Sequence, residues 1–154
     1  MTRVARIGIV LVLLAVSPLV WSQGLSVRAA VRDDLLHVEI SLSEFPYEPY
    51  RESLVDGVAG TVTYEVEVVR RSSIRLFSPF RKTLAERTVV QRVEYDRFTR
   101  QVIVTTPDGE AAYSTAGDAL VAMTTQTLEV PCEQINCTEP VTVRARAVLE
   151  PTEP

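Results

Sequence analysis

The sequence predicts a mainly β protein: an antiparallel β-sandwich or open barrel of about seven strands with two short helices. Three observations carry this prediction. Apolar and polar residues alternate with period two along most of the chain after residue 25. Pro, Gly and Asp clusters cut the alternating runs into strand-sized pieces. No strand-helix-strand rhythm occurs, so a parallel sheet is disfavoured. With 154 residues, 46% hydrophobic and 23% charged, the chain has one globular domain's worth of material.

The first element is a leader. Arg3 and Arg6 precede an apolar run from Ile7 to Val20, and Val20-Trp21-Ser22 offers small-residue cleavage chemistry before Gln23. The alternative is a retained anchor. A helix over that run spans about 21 Å, short of the roughly 30 Å hydrocarbon core. The expected organisation is a signal peptide at 1–22, a single β-rich domain at 23–150 and a polar tail at 151–154. The implied location is periplasmic or extracellular. Without Arg3 and Arg6, 14 basic residues face 20 acidic ones, a net charge of −6. That balance argues against a nucleic-acid partner.

Leu25, Val27, Ala29 and Val31 alternate with polar or small residues. Asp33-Asp34 gives a turn, and Leu36, Val38, Ile40 and Leu42 alternate again, so a hairpin is expected. His37, the only histidine, falls on the polar face, where no motif ties it to an acid or a nucleophile. Pro46 and Pro49 interrupt the sheet, and Tyr50 to Val55 forms a short helix stopped by Gly57. Val62, Tyr64, Val66 and Val68 mark a long strand. A second runs from Thr83 to Tyr95, with Val89, Val93 and Tyr95 on one face and the Tyr95 ring packed inward. Ser78-Pro79-Phe80-Arg81 turns one into the other. Tyr95 to Arg100 is either a binding site or a hairpin corner. The three-residue spacing of Asp96 and Thr99 favours a corner capped by side-chain oxygens. Strands follow at Thr99 to Thr106 and Glu110 to Ser114, around Pro107-Asp108-Gly109. Thr115 and Asp118 form a capping pair for a short helix whose stripe is Ala119, Leu120 and Met123. Val141, Val143, Ala145, Ala147 and Leu149 make the last strand.

Cys132 and Cys137 are an even pair of close cysteines, which in an exported chain suggests a disulfide. Free thiols are the alternative. A metal pair is weak, because two thiols need two further ligands. Asn136-Cys137-Thr138 matches a glycosylation sequon, relevant only in a eukaryotic secretory route.

The order of these features resembles the exported bacterial family catalogued as domain of unknown function 4390. The matching positions are Leu54, Gly57, Arg70, Tyr95, Asp96, Thr99, Ala119 and Leu120, over a span from about Leu25 to Leu149. The chain departs in lacking tryptophans after Arg70, where Phe77 and Phe80 stand instead, and in its cysteine loop. The resemblance implies an envelope protein without an established activity, and some relatives' genes lie near those of membrane sensor kinases.

Catalytic chemistry finds little support. One histidine, no G-x-S-x-G, no H-E-x-x-H and no glycine-rich phosphate loop occur. No catalytic, metal or cofactor residues are assigned. The feature that stands out is charge polarity. From residue 70 to 87, six basic residues face Glu86 alone, a charge of +5 that leaves −11 for the rest of the mature chain. Arg70, Arg71, Arg75, Phe77, Phe80, Arg81 and Lys82 are therefore the candidate interaction residues. The reading that follows is a non-catalytic envelope protein-interaction module, linked to a membrane sensor kinase. Alternatives are a module for an apolar or lipid ligand, contact with an anionic lipid surface and, least supported, an enzyme.

Overall fold

The computed structural model describes residues 3–4, 8–11, 24–71 and 81–151. Two antiparallel sheets face each other, so the sandwich, and not the barrel, is the architecture. The strands are β1 (Arg3–Val4), β2 (Gly8–Leu11), β3 (Leu25–Arg32), β4 (Leu35–Leu42), β5 (Gly60–Arg71), β6 (Arg81–Asp96), β7 (Gln101–Thr106), β8 (Gly109–Tyr113), β9 (Thr125–Pro131) and β10 (Thr142–Pro151). The larger sheet runs β10-β5-β6-β7-β8, with β1 and β2 both on the outer side of β10. The smaller runs β3-β4-β9. Among the described residues there are three helices: α1 (Tyr47–Val55), α2 (Ala116–Ala122) and the single turn α3 (Cys132–Ile135).

Alternation becomes layering. Leu36, Val38, Ile40 and Leu42 of β4 point inward against Val62, Tyr64, Val66 and Val68 of β5 and Val143, Ala145, Ala147 and Leu149 of β10. Each such side chain contributes about 1.5–3 kcal/mol on burial. The β3–β4 turn forms as expected, with Asp33 and Asp34 both at positive φ, the mirror-type turn that suits hairpin twist. The last strand runs through Pro151, which pairs with Gly60, so the sheet takes in one residue expected in the tail.

α1 closes one end of the sandwich. It starts three residues earlier than expected, because Pro49 falls in the first turn, where a missing N–H is harmless. Gly57, at φ +80°, donates its N–H to the Leu54 carbonyl and ends the helix. Tyr50 is 1% exposed and lies on Gly60 of β5, and its hydroxyl donates to the Thr61 carbonyl at 2.9 Å. α2 carries the expected cap: the Asp118 N–H donates to Thr115 Oγ1 at 3.1 Å, and that hydroxyl donates to the Asp118 carboxylate at 2.7 Å. Ala119, Leu120 and Met123 are buried, as the stripe predicts.

Three features depart from the sequence reading. β9 was not expected; its inward residues include only two large apolar side chains, Leu128 and Val130, with Gln126 at the third position. Gln91 of β6 is 3% exposed and donates across the interior to Gln126 Oε1 at 2.6 Å, tying the two sheets by a polar contact. Tyr95 shares the inward parity of Val89 and Val93 but is 38% exposed. β5 begins at Gly60, opposite Val93, so no strand flanks Tyr95 on that side.

Candidate functional site

The basic stretch sits on the longest ribbon of the fold. β5 and β6 pair as far as Arg71 opposite Arg81, whereas β10 accompanies β5 only to Val69 and β7 accompanies β6 only from Arg92. The register shifts between Val68 and Val69, a bulge next to the point where β10 ends its pairing with β5. Lys82 is exposed there. Arg75, Phe77 and Phe80 lie outside the described residues, and of Arg71 and Arg81 only the strand backbone is described.

Arg70 departs from its expected role. Its guanidinium donates to the carbonyls of Ile135 and Asn136, and its Nε lies 3.2 Å from Glu139 Oε2. That last approach is close enough for an ion pair but angled too poorly for a hydrogen bond. Arg87 likewise donates to Gln134 Oε1 at 2.7 Å. Two of the six cations therefore hold the cysteine loop against the sheet. A half-buried arginine committed to main-chain carbonyls is a fastener and is removed from the candidate surface. No local pattern signals this, since Arg70 and Ile135 stand 65 residues apart in sequence.

The loop itself is built for that grip. Cys132 and Cys137 form a disulfide across α3. Asn136 adopts the left-handed conformation at the helix end, which exposes the carbonyls that accept from Arg70. Ile135 is buried beneath. Asn136 Nδ2 donates to Glu139, and Thr138 donates to Asn136 Oδ1, so the sequon asparagine is engaged within its own turn.

The Tyr95–Arg100 stretch is a corner. The Phe98 N–H donates to Asp96 Oδ1 and the Thr99 hydroxyl to Asp96 Oδ2, both at 2.8 Å. The Thr99 hydroxyl and the Phe98 N–H hold the Asp96 carboxyl below its usual range. Arg100 takes positive φ and closes the turn, and Phe98 is fully exposed. Arg97 reaches back over α1's end: a Cβ on Gly57 would meet its Nη2 at 2.5 Å. The glycine after α1 and the Tyr-Asp-x-x-Thr corner, separate in sequence, thus meet in space.

Elsewhere the polar faces form ladders. Arg144 and Arg146 stand opposite Glu67 and Glu65, at 3.6 and 3.7 Å, lining a shallow hollow of about 200 Å³ with Glu86. His37 lies on the polar face, as expected, but Glu129 of β9 stands opposite it with Nδ1 to Oε1 at 3.2 Å. That acid was missed because β9 was missed. A wider depression of about 520 Å³ lies beside it, among Arg28, Arg32, Asp33, His37 and Glu39. The phenols of Tyr50 and Tyr64 are pushed up by burial, so both stay protonated donors: Tyr50 to Thr61 and Tyr64 to the Met123 carbonyl. Among the described residues no three His, Cys, Asp or Glu side chains are grouped to hold a metal ion, and no helix is long and apolar enough to cross a membrane. No protein-family model, curated protein or solved structure matches this chain.

Proposed function

We propose that this protein is a non-catalytic, exported envelope protein that acts as a protein-interaction module, docking an acidic patch of a membrane sensor protein through the tip of its β5–β6 ribbon. The observation that carries the reading is the length of that ribbon. It continues beyond both flanking strands as far as Arg71 opposite Arg81, with Lys82 exposed near that end. A cationic tip accelerates encounter with an acidic partner. The disulfide fits an oxidising compartment, in line with the leader. The resemblance to the exported family of unknown function supports the same compartment.

Crosslinking and pull-down from envelope extracts test this. Charge reversal at Arg75, Arg81 and Lys82 together is expected to abolish capture of an integral membrane partner. Capture unchanged in the reversed variant overturns the site. Binding to vesicles rich in anionic lipid, with no protein captured, replaces the protein partner by a lipid surface.

A further inference from the structure

Sheet edges are the second place where a β-sandwich meets other chains, because an edge strand leaves a row of main-chain donors and acceptors open. The larger sheet has two. β8 is five residues long, starts in the Gly109 turn and is exposed at four positions, so it is a blunt edge. β10 is different. It pairs with β5 over ten consecutive residues without a register shift. Among the described residues after 23, no strand holds its other side. That side is held by β1 and β2, which belong to the segment read as a leader. Arg3 and Val4 stand opposite Leu149 and Val148, and Gly8 to Leu11 opposite Ala145 to Thr142.

We propose that β10 is a strand-acceptor edge. The N-terminal segment occupies it in the unprocessed chain, and an extended, apolar segment of a partner protein adds there, antiparallel, once that segment is removed. The proposal rests on the export reading, because only loss of the leader opens the edge.

Three observations support the assignment. First, the seated segment shows the chemistry accepted: Gly8-Ile9-Val10-Leu11, opposite Ala145 to Thr142, is uncharged and apolar, and the charged Arg3 is met only at the far end, opposite Leu149. Second, the edge carries little of the protection that keeps such strands apart. Its only proline is the terminal Pro151. Arg144 and Arg146, which would otherwise shield it, extend across the strand to Glu67 and Glu65, away from the open side. Third, β2 also touches β3 of the smaller sheet, so a strand in this position lies at the mouth between the sheets, beside the inward-facing Val143 and Ala145. Such an occupant gains main-chain hydrogen bonds and covers apolar surface together. A second copy of β10 fits less well in the register centred on Ala145, where Arg144 would oppose Arg146. A shift to Ala147 sets Arg144 opposite Glu150 and relieves this, so oligomeric state belongs in the test.

Among the described residues the buried core runs from Val27 to Leu149, all of it within the 23–154 chain, whose cooperative unfolding in urea is read before any peptide is added. The probe is a synthetic peptide of residues 3–11, added to the 23–154 chain. Amide hydrogen exchange from Thr142 to Leu149 is expected to slow roughly tenfold or more at saturating peptide, with other edges unchanged. A peptide with Ile9→Pro and Val10→Pro lacks main-chain donors at both successive positions and is expected to give no slowing. No slowing by the parent peptide, or equal slowing by the proline peptide, overturns the proposal. So does a dimeric 23–154 chain whose β10 amides are already protected. The mass of the exported protein is read separately. A chain beginning at Gln23 supports the opening of the edge in the cell. A retained leader overturns both that opening and the export reading, while the peptide result still reports on the edge itself.

Discussion

Gly60→Ala is expected to destabilise the protein although it adds a single methyl group to a strand. Gly60 faces the interior between Val93 of β6 and the ring of Tyr50. An added Cβ would lie 2.6 and 2.7 Å from Tyr50 Cε1 and Cδ1 and 3.2 Å from Val93 Cγ1. The ring has nowhere to retreat. Tyr50 is fully buried, its hydroxyl is held by the Thr61 carbonyl, and Phe45 packs 4.8 Å away, centroid to centroid. Overpacking of this kind costs about 1–3 kcal/mol. Relieving it by moving the ring loses a hydrogen bond worth about 1 kcal/mol. Against this, alanine in a strand gains roughly 0.5–1 kcal/mol over glycine in chain entropy. The net is a loss of about 2 kcal/mol, a fall of about 1 M in urea midpoint at the usual slope for a domain of this size. A double-mutant cycle with Tyr50→Leu isolates the cause. The leucine is expected to cost less in the alanine background, with a coupling of about 1 kcal/mol or more. Gly60→Ala as stable as the parent, or a cycle additive to within about 0.5 kcal/mol, refutes the packing argument.

The fastened loop and the capped corner give two further predictions. Replacing Cys132 and Cys137 by serine opens a loop of five-residue separation and is expected to cost about 2 kcal/mol in the chain-entropy model, and Arg70→Met about 1–3 kcal/mol, with the two losses less than additive because both release the same turn; urea melts of the set check this, and strict additivity counts against a shared fastener. The Asp96 carboxyl, lowered by its bonds from Thr99 and Phe98, stabilises the fold above the ordinary carboxylate range and loses that contribution as pH falls through its depressed folded value. Carbon-detected NMR titration is expected to place it below 3.8 in the native protein, and Thr99→Val is expected to raise it.

What was legible in the sequence was parity, and what was not was company. Val62 to Val68 and Val143 to Leu149 announce their buried face by alternation alone, because both strands are central in the full sheet and covered along their length. Tyr95 obeys the same parity and is half open, because β5 starts two residues too late to flank it. β9 fails the pattern because one of its inward positions is Gln126, whose amide oxygen accepts from Gln91 of the opposite sheet while its NH2 donates to the Thr127 carbonyl. Missing β9 hid the partner of His37 as well. The Asp96–Thr99 corner and the Thr115–Asp118 cap were legible because each is closed within four residues. Arg70 was misread as free surface because its acceptors come from a loop far along the chain.

The correction at Arg70 narrows the candidate surface instead of removing it. A sequence count of six cations treats them as equivalent, yet the fold commits two of them to partners within the domain. Arg70 and Arg87 sit where α3 packs on the ribbon, and both are spent on the disulfide loop. That bracing has a mechanical consequence: it stiffens the base of a two-stranded ribbon that has lost its neighbours on both sides. An isolated ribbon is only marginally stable in water, so the brace supports the part of β5 and β6 that runs without other neighbours. If the ribbon docks a partner as proposed, the disulfide supports that docking only through this brace. Opening it is expected to weaken capture through Lys82, Arg81 and Arg75 even where the domain stays folded, and charge reversal at those three residues is expected to weaken capture with the brace intact.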